Sequence, residues 1–513
     1  MEWPEASIPN VEESVERTGS QPMRVVMGRE AVAEQAAGLL EDESSLFGGW
    51  ADEAAWPADA DELAAYMAEL AARGVAATPA GGNTGIAAGA VPSGGAVVST
   101  AGLDGIEYLG EGLLRAGAGA TLAEMDEYLR ARGIPLFYPP DPTETTATVG
   151  GTLATDASGS DSYLYGSTRR WVQEAELVLA GGGRLRAARG RFKFDSEGLC
   201  RVPGVGTIRL PELSGPPLPK TAAGYWIRPG MDLLDLLIGS EGTLGLFTEA
   251  VLRLHPRPEA VVDLAVFPKT MEVFWELFAA MTSMRSRVRA VEMMDGPCLD
   301  LLRRHPPEDL PALPDRAEAA LLFRAEADDE DGLDRLLTEL DGVLTGMGIP
   351  LEETWGGFEE TEHRRMLELR HSLPETVNEL ISAARRKDPE IHKLGSDSAV
   401  DPGLVRELYR HTREILTGME LPHVVFGHVG QGHLHANVIP RDRRQLKAGE
   451  EAMRSIAETA AGMGGTVSAE HGLGRLKADF LRYMLTPGEL EGIAAIRRSF
   501  DPNGLLCPAI TWA

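Results

Sequence analysis

Five of the chain's eleven histidines, His423, His428, His433, His435 and His471, crowd into one stretch near the C-terminus, and none precedes His255. Imidazole changes charge near neutral pH and is the commonest metal ligand, so any histidine chemistry belongs to the C-terminal half. In VVFGHVGQGHLHANVIP an apolar strand runs to His428, glycines 427, 430 and 432 break the regularity, and a second strand resumes. Alternation puts His433, His435 and Asn437 on one face of that second strand and Leu434, Ala436 and Val438 on the other. Further on, AEHGLG sets Glu470 beside His471 in a glycine-bounded segment. Two or three imidazoles with one carboxylate make a ligand set for zinc, or for manganese or iron. The bland alternative is a group of exposed or capping histidines.

A second kind of chemistry is suggested by small residues. Gly81, Gly82, Asn83, Thr84 and Gly85 form a loop whose bare backbone N–H groups can approach a phosphate. The loop is neither G-x-G-x-x-G nor a P-loop. ATVGGTLATDASG and GSEGTLG repeat the theme, which suits an extended phosphate-bearing cofactor threaded between two lobes, or simply close sheet packing. Arg370 suits a two-pronged grip on a carboxylate. Lys393, one of only seven lysines, is a second candidate for an anionic substrate.

Elements must position these groups. Leu63, Tyr66, Met67 and Leu70 recur at helical spacing before Gly74, and Thr121 with Glu124 forms a capping box for a helix ended by Gly133. LFTEAVLRL alternates as a strand, and Pro256 and Pro258 mark a domain boundary. Residues 190–219, rich in Gly, Pro and Arg, read as an inserted loop, and residues up to about 50 as an arm with one short helix near 31–40.

Composition narrows the function classes. The 49 basic and 78 acidic residues give a net charge of −29, which repels nucleic acid. Three scattered cysteines, Cys200, Cys298 and Cys507, make no disulfide framework and hold no cluster unaided. An acidic N-terminus without a signal-peptide pattern and the lack of long apolar runs predict no membrane span and a cytoplasmic location, with peripheral attachment at the inner membrane face as the alternative.

With these residues in view, the chain resembles the flavin-dependent oxidoreductases of the vanillyl-alcohol oxidase type. Within them it is similar to the branch containing D-lactate dehydrogenase, the glycolate oxidase FAD subunit and D-2-hydroxyglutarate dehydrogenase. The resemblance spans about residues 55–510 and is carried by PAGGNTG, YPPDPTETTATVGGTLATDASG, YGSTRRWV, GSEGTLGLFTEA, GHVGQGHLHAN and AEHGLG in that order. It implies an α+β fold with an N-terminal arm over 1–54 and a two-lobed FAD-binding domain over 55–256. A substrate- and metal-binding cap with an antiparallel sheet would span 257–470, and a helical segment, 471–513, would return to the FAD domain.

The resemblance also implies roles. Loop 81–85 would hold the FAD pyrophosphate, while Pro140, Asp141, Thr148, Gly151, Thr155, Gly159, Glu241, Gly242 and Gly245 would line the flavin side. His428, His435 and Glu470 match metal ligands, zinc first. Asn437 and His471 match positions facing the substrate hydroxyl, with His471 as base. Arg370 and Lys393 match carboxylate binders. The first flavin loop has no His or Cys, so FAD would be held without a covalent bond.

The chain departs from the family pattern at Ala80, Gln431, His433 and Cys507, and around Lys393. His433 has two open roles, an added ligand or a partner behind the ligands. The implied activity is oxidation of a small D-2-hydroxy acid, D-lactate first, with glycolate or D-2-hydroxyglutarate as alternatives. Electrons would leave to a quinone, a cytochrome, an electron-transfer flavoprotein or an iron–sulfur subunit, and a homodimer is compatible with the pattern. Two rivals are a flavin-binding subunit that has lost catalysis and an ether-lipid synthase of the same superfamily.

Overall fold

The computed structural model describes residues 23–512, apart from 45, 47, 142–143, 216–217, 219, 308–309 and 358. The first 22 residues, on which the reading of the extreme N-terminus rests, lie outside the described residues.

The N-terminal half is built on two sheets. The first runs in the order Arg24–Met27, Glu53–Trp56, Ala96–Ser99, Ala77–Ala80, parallel except for its first pair. Helix Ala60–Arg73 makes the crossover between its parallel strands. Asp59 caps that helix by accepting the N–H groups of Asp61 and Glu62. Leu63, Tyr66, Met67 and Leu70 bury one stripe, and Gly74 ends the helix at φ 66°, a conformation that costs glycine little. The second sheet, in the order Ile106–Gly110, Leu113–Gly117, Leu246–Arg253, Val172–Val178, Arg184–Ala188, is antiparallel throughout. Helix Leu122–Ala131 carries the expected capping box between Thr121 and Glu124.

Two expectations are corrected here. The arm is not separate from the first lobe: Arg24–Met27 pairs with Glu53–Trp56, so a boundary at 54 would cut through a strand. Residues 190–219 are not simply a loop, because Leu199–Val202 and Gly206–Arg209 form a hairpin. Helix Pro487–Phe500 packs beside the chain leaving this hairpin: Gly492 lies against Pro211, and Glu489 accepts from the Ser214 hydroxyl at 2.9 Å.

The C-terminal half is an antiparallel eight-stranded sheet. Its order is Trp355–Gly357, Ala260–Val266, Ala319–Ala327, Arg287–Asp295, His423–Gly427, His433–Val438 and Leu394–Gly395, with Ser398–Ala399 also on His433–Val438. Helices cover both faces, which is why AALLFRAEA reads as an apolar run rather than an alternation. Leu321 and Phe323 join the core on one side, Ala320 and Leu322 the core on the other. Each such Leu or Phe contributes about 1.5–3 kcal/mol by leaving water.

The chain then returns. Leu473, Leu481, Ile493, Ile496, Phe500 and Leu506 are buried in the core of the N-terminal half, and the Ala77 N–H donates to the Leu505 carbonyl at 2.7 Å. The segment carrying Glu470 and His471 is therefore clamped between the two halves.

Candidate active site

Strands His423–Gly427 and His433–Val438 pair antiparallel, with Phe426 opposite His435, so the chain must reverse within residues 428–432. Gly432 makes the reversal at φ 71°, and a Cβ there would collide with the Val400 carbonyl oxygen. This tight turn folds His428 back over His433 and His435. The expected alternation holds: Leu434, Ala436 and Val438 enter the cap core, while His433, His435 and Asn437 face the other way.

Glu470 is the hub of the resulting cluster. Its Oε2 lies 3.4 Å from His428 Nε2, 3.8 Å from His433 Nδ1 and 3.7 Å from His435 Nε2. Its Oε1 accepts from the Lys220 ammonium and from Ser158 Oγ at 3.4 Å. The ring centroids of His433 and His435 are 4.3 Å apart. Glu470 is buried, which alone would raise its pKa, yet His428, Lys220 and His433 hold it well below the usual carboxylate range. Burial presses His433 down to about 4, and burial with His433 and His471 nearby presses His435 well below the imidazole range. Both rings are neutral at pH 7 and competent as ligands. Burial also opposes charge on His428, but Glu470 and Glu292 outweigh it and raise its pKa.

Behind the cluster stand residues that sequence reasoning missed. Glu292 Oε1 lies 2.6 Å from His428 Nδ1, its Oε2 lies 3.0 Å from Arg370 Nε, and Ser160 Oγ donates to it at 2.6 Å. Asp397 Oδ1 is 2.9 Å from His433 Nε2, and Oδ2 is 3.2 Å from His471 Nδ1. That second oxygen also accepts from Ser468 Oγ at 2.7 Å and Lys477 Nζ at 2.9 Å. Burial would raise Asp397, but His471 and Lys477 keep it ionised, well below its ordinary value. His471 in turn stacks on His435, with centroids 5.2 Å apart and planes 25° from parallel. No local spacing announces Glu292, Asp397 or Lys220. Each sits in an unrelated element and reaches the cluster only through the fold.

Donor chemistry fits a divalent cation. His428, His433, His435 and Glu470 each offer one ligand atom, and these four atoms lie within 4.8 Å of one another. Four nitrogen and oxygen donors around zinc at roughly 2.0–2.1 Å stand about 3.3 Å apart, and the three Glu470-to-imidazole distances of 3.4, 3.7 and 3.8 Å come near this.

Arg370 and Lys393 differ in their surroundings. Arg370 is tied through Glu292 to the cluster, whereas Lys393 Nζ donates to Asn378 Oδ1 at 3.1 Å. Asn437 is buried beside Gly395, where an added Cβ would stand 2.8 Å from Asn437 Oδ1. Asp141, pushed up first by burial and then by Asp161, has Arg370 among its positive neighbours.

Loop 81–85 fits a phosphate-bearing cofactor. A Cβ on Gly81 would lie 2.5 Å from Thr148 Oγ1, and one on Gly82 would lie 2.8 Å from the Thr146 carbonyl. Only bare backbone therefore fits against the start of helix Val149–Thr155, which Thr148 caps by accepting the Gly151 N–H. Asn83 fastens the loop by donating to the Gly38 carbonyl at 2.9 Å and the Glu41 carbonyl at 3.1 Å. Thr155 Oγ1 bonds the Gly151 carbonyl at 3.0 Å, the Gly159 N–H bonds Ser162 Oγ at 2.9 Å, and Pro140 is buried.

GSEGTLG, expected on the flavin side, also contacts the returning C-terminal segment. Glu241 accepts the N–H groups of Leu473 at 2.9 Å and Gly474 at 2.7 Å, bracing the segment after His471. Burial still pushes its carboxyl up to about 7. Gly242 packs on Pro79 and Cys507, and Gly245 on Val178 and Leu177, which leaves no room for a side chain at either position.

A cavity of about 450 Å³ borders the cluster at Ser158, Lys220, Gln431 and Ala469, and Arg169, Arg170, Arg189 and Arg253 line its other parts. Among the described residues, no helix is long and apolar enough to cross a membrane.

Comparison with known proteins agrees with this architecture. The FAD binding domain family matches residues 51–188, and the C-terminal domain family of FAD linked oxidases matches residues 257–510. The glycolate oxidase subunit GlcD of Bacillus subtilis is 26% identical over 95% of both chains. A D-lactate dehydrogenase of Archaeoglobus fulgidus is 27% identical, covering 88% of this chain and 89% of its own. The mitochondrial D-2-hydroxyglutarate dehydrogenase of Bos taurus is 29% identical over 88% of this chain and 75% of its own. Among solved structures, 4-ethylphenol oxidase from Gulosibacter chungangensis superimposes with a TM-score of 0.65 at 14% identity, covering 95% of this chain and 93% of its own. An FAD-binding domain followed by a cap, as in vanillyl-alcohol oxidase type proteins, is thus the fold.

Proposed function

The chain belongs to the FAD-linked oxidases, and we propose that it is a dehydrogenase converting a D-2-hydroxy acid, D-lactate first, to the 2-oxo acid. One observation carries the reading: a three-imidazole, one-carboxylate cluster stands beside a histidine held by a buried carboxylate. When bound, FAD supplies the hydride acceptor, and a divalent metal, zinc first, supplies a charge that acidifies the substrate hydroxyl.

The remaining work falls to the side chains. His428, His435 and Glu470 would hold the metal. Asp397 binds His471 at Nδ1, which leaves Nε2 to accept the hydroxyl proton. As His471 gains that proton, the ionised Asp397 stabilises the positive ring. Arg370, aimed by Glu292, would hold the substrate carboxylate and so select one face of the alcohol carbon. Asn437 would orient the hydroxyl, and Lys393 would add charge at the outer edge. Loop 81–85 with Thr148 would seat the pyrophosphate through backbone N–H groups. Pro140, Asp141, Gly151, Thr155 and Gly159 would shape the flavin side. Electrons would then pass to a quinone, a cytochrome, a flavoprotein or an iron–sulfur partner.

The test is anaerobic flavin bleaching across D- and L-2-hydroxy acids with metal content known. Bleaching by a D-acid, lost on chelation and restored by zinc or manganese, is the expected result. Absence of bleaching by every acid, with FAD and metal both bound, would reject the dehydrogenase reading in favour of an electron-transfer subunit.

A further inference from the structure

The geometry points to His433 as a fourth protein ligand, giving a closed three-histidine, one-glutamate metal centre rather than a three-ligand site with an open position. This rests on the metal-centre reading above and specifies its coordination.

Asp397 sets the constraint on His433. Its Oδ2 is surrounded by donors: Ser468 Oγ at 2.7 Å, Lys477 Nζ at 2.9 Å and the His471 N–H at 3.0 Å. A carboxylate so placed accepts only, so the hydrogen in the 2.9 Å contact between Asp397 Oδ1 and His433 Nε2 must come from the imidazole. That fixes the tautomer, with hydrogen on Nε2 and a lone pair on Nδ1. His433 is fully buried, and its Nδ1 has no hydrogen-bond partner among the described residues. An unsatisfied buried acceptor opposes folding. Moreover, Nδ1 faces Glu470 Oε2 at 3.8 Å, a lone pair toward a negative oxygen. A cation between them removes both penalties.

His428 Nε2 and His435 Nε2 face the same oxygen at 3.4 Å and 3.7 Å, so the three imidazoles are equivalent in reach. Only the orienting carboxylates differ: Glu292 for His428 and Asp397 for His433. With four protein donors a tetrahedral metal is complete. The ion would be held more firmly than by three ligands.

The experiment uses the full-length, FAD-loaded protein stripped of metal. Zinc affinity is measured by competition with a chromophoric chelator for wild type and His433→Asn, with flavin content as the folding control. In parallel, the cobalt(II)-loaded wild type is examined by proton NMR for strongly shifted, exchangeable imidazole N–H signals. Three signals, and zinc binding at least about tenfold weaker in H433N, are expected. Two signals in a protein that still binds zinc at this site would overturn the role of His433 and leave the metal centre standing. The same follows if H433N folds with unchanged affinity. If wild type binds neither ion, the metal-centre reading itself falls, and His433 with it. Should H433N not fold, the wild-type signal count decides.

Discussion

Asp397 and His471 meet at 3.2 Å, Oδ2 to Nδ1, across the join between the cap sheet and the returning C-terminal segment. The other oxygen of the same carboxylate holds His433. One buried anion thus sets the orientation of both the proposed base and a cluster imidazole. Replacing Asp397 by Asn keeps the shape but puts an amide where an ionised acceptor is required. We expect the rate of anaerobic flavin reduction to fall by about 10²-fold or more, with FAD content retained. A variant reduced at the wild-type rate would remove His471 from the role of base.

Arg370→Lys separates substrate binding from folding. The guanidinium is braced by Glu292 through Nε, a geometry that an ammonium cannot reproduce. Loss of a charge-assisted contact of about 1.5–3 kcal/mol predicts a fall of roughly 10- to 100-fold in kcat/KM, with flavin content unchanged. Equal loss of flavin and turnover would instead mark Arg370 as a structural residue.

Metal binding should depend on pH through His428. Its pKa lies above the ordinary imidazole value because Glu470 and Glu292 outweigh burial. In the metal-free protein a proton therefore competes for this ring. Zinc affinity should rise with pH and level off only above about 6.5, the unperturbed imidazole value. Titrations at several pH values read this directly, and an affinity that levels off below that pH would contradict the placement of His428 among the ligands.

Glu241 predicts a stability effect of definite sign. Its folded pKa of about 7 lies above the ordinary 4.5, so the folded protein prefers the protonated form. As pH rises from about 4.5 to 7, the unfolded chain gives up the proton first, and wild type loses stability over that window. The loss is about 3 kcal/mol at most, since one pKa unit is about 1.4 kcal/mol. Gln cannot ionise, so the stability difference between Glu241→Gln and wild type should move in favour of the variant across pH 4.5–7 and stay flat above pH 8. Thermal melts of both proteins across pH 4–9 measure it, and parallel curves would show that Glu241 does not titrate in this window.

Local order was legible in the chain itself. The helix ending at Gly74, the Thr121–Glu124 box and the alternation around His433 and His435 depend on neighbours a few residues away, where spacing and capping decide the outcome. The histidine-rich stretch and the Glu470–His471 pair stood out because histidines are concentrated there, and the family resemblance assigned His428, His435 and Glu470 as ligands and His471 as base. Tertiary structure alone decided what surrounds them. Glu292 comes from the middle of the cap sheet, Asp397 from the short segment between two edge strands, and Lys220 from the N-terminal half. Their contacts with the cluster span up to 250 positions of sequence. Glu241 makes the same point: GSEGTLG reads as a cofactor loop, and only the fold shows that its carboxylate also braces a backbone 232 positions away. Charge partners across such distances leave no periodic trace, because their pairing is fixed by how the sheets and the returning segment pack, not by the order of residues around them.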